Sequence, residues 1–240
     1  MNVEEPQILY QDPYYLAVNK PAGLAVHRSR MTRDQKRFLV QVLRGMTGKK
    51  VYPVHRLDRP TGGVILLAFD SEATRRVAES FNQQGINKVY TAIVRGYTPG
   101  NDTIDHPLTK SIDAVGRLKE KRTAVTRYRR LATTELPFAV GRYETARYSL
   151  LRVWPVTGRQ HQIRRHLNHI SHPIVGDRKY GDNHHNRFFT QHFNCRRLLL
   201  FATGLGFVHP YSGQTIQISA GLDRQFRDLI QTLGWQDYID

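Results

Sequence analysis

Apolar residues along this 240-residue chain follow two spacings, the alternation typical of strands and the wider spacing typical of helices. Residues 64–69 form a continuous apolar run, as a strand buried on both faces does. Residues 88–94 alternate, and a glycine turn follows them. We predict strands over 8–10, 14–18, 64–69, 88–94, 123–131, 147–154, 198–202, 206–209 and 215–219.

Four segments carry apolar residues at helical spacing. In the first, Phe38, Leu39 and Val42 share one face and Gly48 ends the helix. In the second, Ser71 is the predicted N-cap and Gly85 the predicted end. We predict helices over 33–48, 71–85, 160–170 and 223–233.

Too few helices stand between the strands for repeated β-α-β units. The sequence therefore predicts an α+β fold with a mixed, mostly antiparallel central sheet flanked by helices. The length and the 40% apolar content are enough for a substantial core, and no repeat or low-complexity segment divides the chain. We predict a single domain over residues 1–240.

The chain is strongly basic, with 36 Lys and Arg against 20 Asp and Glu and a formal charge of +16. A charge balance of this kind attracts polyanions, of which phosphate backbones are the commonest. The basic residues are interleaved with apolar ones at 119–130 and form a second cluster at 28–37. Charge spread over folded segments predicts a binding face rather than a disordered arm.

The single cysteine, Cys195, excludes an intramolecular disulfide and is typical of a reducing compartment. Cys195 itself is predicted to be a small buried residue. The first residues are acidic and lack an apolar signal core, and no run approaches the ~20 apolar residues of a membrane helix. We therefore predict a soluble, cytoplasmic protein, and a monomer because no strongly apolar exposed stripe is evident.

The segment at 54–68 places one acid, Asp58, between Arg56 and Arg59, directly before the predicted buried strand. Such a carboxylate is either the partner in a surface salt bridge or a catalytic group kept ionised. Gly62 and Gly63 permit close approach of the backbone to a ligand or a tight entry into the strand.

Two further segments carry chemistry. Tyr90 lies on the predicted 88–94 strand, where packing on the sheet is the simplest interpretation. The predicted 160–170 helix places His161, Arg164 and Arg165 within one turn, near the positive end of the helix dipole. Arg159 directly precedes that helix.

Taken together, His-Arg-Leu-Asp before Thr-Gly-Gly-Val, the Lys88-Val89-Tyr90 strand and Gly-Arg-Gln-His-Gln-Ile-Arg at 158–164 resemble the pseudouridine synthases. The similarity extends over nearly the whole chain, and it is to the branch of ribosomal and transfer RNA synthases. It implies that family's catalytic fold, with a cleft between two lobes. It also implies a substrate RNA held by the catalytic domain itself, because no separate RNA-binding module precedes Ile8.

Finer features at 27–34, 135–143 and 234–235 resemble the tRNA-modifying members of the branch. This resemblance implies isomerisation of uridine 65 in the tRNA T-stem, and the alternative is a uridine of 23S rRNA. The reaction needs no redox equivalents, and the sequence carries no cofactor motif, so we predict no cofactor.

The resemblance also implies residue roles. Asp58 would be the catalytic carboxylate, Arg164 its charge partner and Tyr90 the active-site tyrosine that contacts the uracil or positions a proton. Arg56 would be the side chain that replaces the extruded base. The other predicted substrate contacts are His55, Arg59, Arg159, His161 and Arg165.

Two rival interpretations come from other classes of function. Several histidines crowd one segment (His161, His166, His169 and His172, then His184 and His185), but neither cysteines nor a hydrolytic His/Glu spacing accompany them. We therefore predict no metal site and expect these histidines to contact phosphate or cap the helix. The second rival is a non-catalytic RNA-binding protein in which Asp58 only braces Arg56 and Arg164.

Overall fold

The computed structural model describes residues 4–28, 37–83, 86–109 and 120–238. The strands are β1 (Gln7–Gln11), β2 (Tyr15–Lys20), β3 (Tyr52–Pro53), β4 (Gly62–Ala68), β5 (Asn87–Arg95), β6 (Asn101–Asp105), β7 (Leu108–Thr109), β8 (Lys121–Arg122), β9 (Val125–Leu136), β10 (Ala146–Pro155), β11 (Leu200–Val208) and β12 (Thr215–Ser219). The helices are α1 (Leu39–Thr47), α2 (Ser71–Gln83), α3 (Gln162–His169), α4 (Asn183–Phe193) and α5 (Arg224–Thr232), and a short 3-10 helix follows (Gln236–Tyr238).

The chain divides into two compact units. The first unit comprises Met1–Val89 and Phe201–Asp223, and the second comprises Tyr90–Leu200 and Arg224–Asp240. Strands β5 and β11 each contribute residues to both units. No helix among the described residues is long and apolar enough to cross a membrane.

In the first unit the strands follow the order β1-β2-β4-β11, with β3 paired to β4 and β12 paired to β11. All of these pairs are antiparallel except β4 with β11, which is parallel. Every residue of β4 is buried. The continuous apolar run at 64–69 is therefore the central strand that the sequence predicted.

In the second unit β5, β10, β9 and β6 follow one another in an antiparallel arrangement, and β7 pairs with β8. Helix α3 packs against β9 and β10. Helix α4 places Phe188 and Phe189 against the wholly buried Tyr148 of β10, with ring centroids 6.5 and 4.9 Å from the Tyr148 ring. The Trp235 side chain is buried and donates to the Thr133 carbonyl at 3.3 Å.

The predicted α+β class with a mixed, mostly antiparallel sheet is confirmed. The sequence missed helix α4 and the short strands β3, β6, β7 and β8. Helix α4 is poor in strong helix formers, and it depends on its N-cap Asp182, which accepts from two backbone N–H groups, and on its aromatic packing. The single-domain prediction and the cleft between two lobes stay predictions.

Two boundaries were predicted wrongly. The segments at 198–202 and 206–209 are parts of one strand, β11, because residues 204–208 pair without a break with β12 and carry the strand through the predicted gap. Asp70, not Ser71, caps α2, since its Oδ1 accepts from the Ala73 N–H at 2.7 Å. The helix start at 33, the helix end at Gly85, residues 29–36 of the basic cluster and the start of the 119–130 cluster lie outside the described residues.

A buried histidine, His209, links two turns of the first unit. His209 Nε2 lies 2.9 Å from Asp12 Oδ2, and His209 Nδ1 accepts from the N–H groups of Tyr211 and Ser212. Asp12 also accepts from the Tyr15 N–H at 2.6 Å. Because Nδ1 is an acceptor, these contacts assign the Nε2-protonated tautomer, which donates to Asp12. The contact connects the turn between β1 and β2 to the turn between β11 and β12.

Candidate active site

Asp58 lies on the loop that enters β4. The Asp58 carbonyl accepts from the Thr61 N–H at 3.0 Å, which closes a tight turn that begins at Asp58. Leu57 is buried, Asp58 is half-buried, and the flanking Arg56 and Arg59 are exposed. Asp58 is therefore less exposed than the two arginines next to it in the sequence, as expected of a carboxylate at the edge of a site.

Lys20, at the end of β2, anchors this loop. Its side chain is wholly buried, and its ammonium donates to the carbonyls of Pro21 (3.0 Å), Leu24 (2.9 Å) and Arg59 (3.3 Å). The Arg59 carbonyl also accepts from the Gly23 N–H at 2.9 Å. A buried charge is costly unless it is hydrogen-bonded, so these contacts fix the backbone next to Asp58.

Sequence reasoning gave Lys20 no role. The available signal was a lysine at the end of an apolar strand, directly before a proline. From sequence alone, such a lysine looks like an exposed strand terminus.

The glycines that follow Asp58 serve a tight entry into β4. A Cβ on Gly62 would lie 2.7 Å from a ring carbon of Phe201, and a Cβ on Gly63 would lie 2.1 Å from the Ala202 carbonyl oxygen. Gly63 also has a φ of 111°, which side-chain-bearing residues rarely adopt. The sequence suggested two purposes for these glycines, close approach to a ligand or a tight entry into the strand. These contacts require the second, because β4 lies closely beside β11.

His55 is a neutral brace for the same loop. Its Nε2 accepts from the Leu66 N–H at 3.1 Å. Burial and the charge of Lys88 lower its pKa from 6.5 to about 3, against an opposing hydrogen bond with the Arg56 backbone. At neutral pH the imidazole therefore carries no charge with which to attract a phosphate.

The stability of the wild-type protein is expected to fall at mildly acidic pH through His55. The pKa of His55 in the folded protein lies below its value in the unfolded chain. The contribution of His55 to the free energy of unfolding is therefore fully present above pH 6.5 and is lost as the pH falls. The loss is about 2 kcal/mol between pH 7.5 and pH 5. Urea unfolding at both pH values, compared with His55→Gln, isolates this contribution, since the glutamine amide oxygen accepts from Leu66 without titrating. An equal pH dependence in the two proteins would contradict the expectation.

Tyr90 lies on β5 and is 8% exposed. Its register partner on β10 is Val153, which is paired in turn with Tyr128 of β9. Both partners are buried, so one edge of the tyrosine packs on the sheet as the simplest interpretation proposed. This packing is compatible with the role that the resemblance implies.

Arg164, on α3, is buried and forms a two-point ion pair with Asp177. Its Nε lies 2.7 Å from Oδ2 and its Nη2 2.8 Å from Oδ1 of the carboxylate. Burial raises the pKa of Asp177, but the hydrogen bonds from Arg164 and from the Tyr180 and Lys179 N–H groups lower it below its usual value. Asp177 therefore holds the guanidinium in a fixed plane.

The Tyr180 ring completes this group. The Arg164 Cζ lies 5.2 Å from the ring centroid, and the Tyr180 hydroxyl lies 3.0 Å from His161 Nδ1. Sequence reasoning singled out neither Tyr180 nor the pairing of Asp177 with Arg164. The available signal was an aspartate that follows a predicted helix containing two arginines, Arg164 and Arg165. The predicted pairing of Arg164 with Asp58 stays a prediction.

The other two cations predicted near the start of α3, Arg159 and Arg165, contact different segments of the chain. Arg165 donates to the carbonyl and hydroxyl of Thr109 at 2.9 and 3.1 Å, and Arg159 Nε donates to the Thr123 carbonyl at 3.0 Å. The buried Gln162 positions this turn by accepting from the Arg159 N–H at 2.9 Å and donating to the Val125 carbonyl. His161 and Arg164 are therefore brought together, whereas Arg159 and Arg165 diverge.

The histidines near α3 have structural partners. His166 is wholly buried between Thr126 Oγ1 (2.9 Å) and the His106 carbonyl (3.0 Å), so its predicted role in phosphate contact or capping is wrong. His172 Nδ1 lies 2.9 Å from the Arg95 carbonyl. In the part of the chain that the structure describes, no group of three or more His, Cys, Asp or Glu side chains could hold a metal ion.

Residues 14–169 match the family of RNA pseudouridylate synthases. The chain belongs to this family. It is therefore a pseudouridine synthase, an isomerase that converts uridine to pseudouridine in RNA. Two solved structures share the fold: the human RNA pseudouridylate synthase domain containing 1 (TM-score 0.72, 22% identity, 98% of this chain and 96% of that one) and domain containing 4 (0.70, 26%, 95% and 93%).

Two bacterial relatives are similar over nearly their whole length, and both are named tRNA pseudouridine synthase C. The protein of Haemophilus influenzae is 45% identical over 96% of this chain and 99% of its own length. The protein of Pasteurella multocida is 49% identical over 95% and 96%.

Proposed function

We propose that this pseudouridine synthase acts on tRNA and isomerises uridine 65 of the T-stem. The observation that carries the choice of tRNA is the 45–49% identity to proteins named tRNA pseudouridine synthase C, over at least 95% of this chain. The formal charge of +16 supports an RNA substrate of high negative charge. Cytoplasmic location, a monomeric state and the absence of a cofactor are part of the same proposal.

The reaction breaks the N1–C1′ bond, turns the uracil and joins C5 to C1′. The proton of C5 is lost and N1 gains one, so atoms balance without an oxidant or reductant. Asp58 is the proposed catalytic carboxylate, as nucleophile, base or stabiliser of positive charge at the sugar. The tight turn at Asp58 and the buried anchor of Lys20 support this role, because a reacting group must be held precisely.

Tyr90 is the proposed partner of the uracil, and Arg164 is the proposed cation of the site. The fixed guanidinium plane of Arg164 supports its role, since a side chain locked by Asp177 does not reorganise during the reaction. Arg56 is the proposed wedge, and its exposure next to Asp58 leaves it accessible to a stem.

The remaining proposed substrate contacts are Arg59, Arg159, His161, Arg165 and His55. His55 enters this set as a neutral hydrogen-bonding group rather than as a cation, because its pKa is lowered to about 3. Arg59 and Arg159 are exposed, so the phosphates of an RNA can reach them.

Release of tritium from tRNA transcripts that carry 5-[³H]uridine tests the proposal. The wild-type protein is expected to release one tritium per tRNA, and replacing uridine 65 by cytidine is expected to abolish the release. Release that survives this replacement would refute the target position. If 23S rRNA alone gives release, the alternative substrate is correct, and if the protein binds RNA without any release, a binding protein is the correct interpretation.

A further inference from the structure

Three arginines share one face of the antiparallel strands β9 and β10. Along β9, Arg127 and Arg129 are exposed, whereas the intervening Tyr128 is buried on the opposite face. The register pairs Arg129 directly with Arg152 of β10, and Arg127 with Trp154. Residues that are directly paired across strands point to the same face. These four side chains, Arg127, Arg129, Arg152 and Trp154, are called the arginine face.

The pairing of Arg129 with Arg152 is unfavourable without a counter-ion. Like charges directly opposite each other on a sheet are destabilising. Among the described residues, no side-chain ion pair or side-chain hydrogen bond is formed by the guanidinium groups of Arg127, Arg129 and Arg152. The residues opposite Arg127 and Arg129 on the other neighbouring strand, β6, are the neutral Thr103 and Asn101, and the acid on this face, Asp105, is paired with Val125. Among the described residues of this face, the three arginines therefore have one acid nearby, Asp105, which is in register with none of them, and the face carries an excess of positive charge.

Trp154 adds an aromatic group to the same face. Its side chain is half-buried and lies in register with the exposed Arg127. Guanidinium groups interleaved with an aromatic ring are suited to nucleic acid, because the cations bind phosphates while the ring stacks on a base or sugar.

The arginine face is separate from the surface that carries Tyr90. Tyr90 is paired with Val153, which lies between Arg152 and Trp154 and therefore points to the opposite side of the strands. RNA that contacts the arginine face is thus not the nucleotide that meets Tyr90.

We propose that the arginine face binds the phosphate backbone of the substrate RNA, away from the target uridine. This inference rests on the proposed function insofar as the RNA is tRNA. It adds a second, sequence-independent contact that sets affinity and not the chemical step, because phosphate contacts position a nucleic acid without reading its bases.

The test is the triple variant Arg127→Gln, Arg129→Gln and Arg152→Gln. Equilibrium binding of full-length tRNA is expected to weaken by about 10-fold or more at 0.1 M KCl, and the slope of log K against log salt is expected to fall by up to about 3. The kcat for tritium release at saturating tRNA is expected to stay within about 2-fold, while KM rises.

A second triple variant, Arg187→Gln, Arg196→Gln and Arg227→Gln, is the matched control. It removes the same charge from exposed positions elsewhere in the second unit. Its affinity for tRNA is expected to stay within about 2-fold of the wild type. An equal loss in both variants would mean that net charge alone matters and would overturn the proposal. Circular dichroism and Tm confirm that both variants are folded.

Fluorescence gives an independent readout. Trp235 is buried, so quenching of tryptophan emission by tRNA is expected to come from Trp154 and to vanish in Trp154→Phe. Unchanged affinity, salt slope and quenching, in a protein that still releases tritium from tRNA, would refute the arginine face and leave the proposed function intact. Absence of release by the wild type would refute the proposed function, while a selective binding loss in the first triple variant would still support the arginine face.

Discussion

Replacement of Asp58 by Asn is expected to lower kcat for pseudouridine formation by roughly 10⁴-fold or more. The amide keeps the size of the carboxylate but has neither its charge nor its nucleophilic oxygen. Affinity for tRNA is expected to change by less than about 2-fold, because phosphate contacts provide most of the binding energy. Single-turnover tritium release measures the first quantity and filter binding the second.

The control for this variant is Asp228→Asn, which makes the same charge change at an exposed position of helix α5. It is expected to retain wild-type turnover. If Asp58→Asn turns over within 10-fold of the wild type, Asp58 has no essential part in the reaction. If affinity falls together with turnover, the residue holds the RNA or the loop rather than performing the chemistry.

Replacement of Asp177 by Asn is expected to destabilise the protein by about 3–5 kcal/mol, because it removes the charge of the two-point ion pair that the buried Arg164 forms with Asp177. Both side chains are almost fully buried, at 8% and 1% exposure, so water does not replace the lost partner. Urea unfolding at pH 7.5 measures the free energy. The decrease is expected to exceed that of Glu135→Gln, which removes the exposed partner of Arg147 and so breaks a surface salt bridge that contributes little to stability.

A double-mutant cycle separates the ion pair from other effects of the substitution. Arg164→Met with Asp177→Asn is expected to be less destabilising than the sum of the single changes, since neither charge is then buried alone. Additive single changes, or a cost of Asp177→Asn below about 1 kcal/mol, would contradict the assigned role. Loss of turnover in Arg164→Met beyond the loss of folded protein would support the proposed function of Arg164 in the site.

Several features were predictable because they depend on local pattern. The uninterrupted apolar run that became β4 needs burial on both faces, and the predicted strand over 88–94 lies within one strand, β5, whose residues 90–94 are all buried. The motifs around Asp58, Tyr90 and Arg164 were sufficient to indicate the family, because enzymes of one family keep the residue types that their chemistry needs. The positive charge predicted a polyanionic partner without locating its binding surface.

Other features required contacts between residues distant in sequence. Lys20 reaches the Arg59 carbonyl across 39 positions, and His209 reaches Asp12 across 197. Helix α4 lacks strong local propensity and forms where its aromatic side chains pack against Tyr148. Periodicity reports which face of an element is apolar but not which element covers that face.

The amino-acid sequence by itself determined the fold class and the central strand, because these depend on local periodicity, and its motifs pointed to the candidate catalytic residues through their resemblance to a known family. Only the tertiary structure decided how the candidates are held. It gave Arg164 the buried partner Asp177, made His55 a neutral brace and set Arg129 opposite Arg152. The physical reason is that burial and strand register fix the charge, direction and partners of a side chain, and both arise only when distant segments pack together.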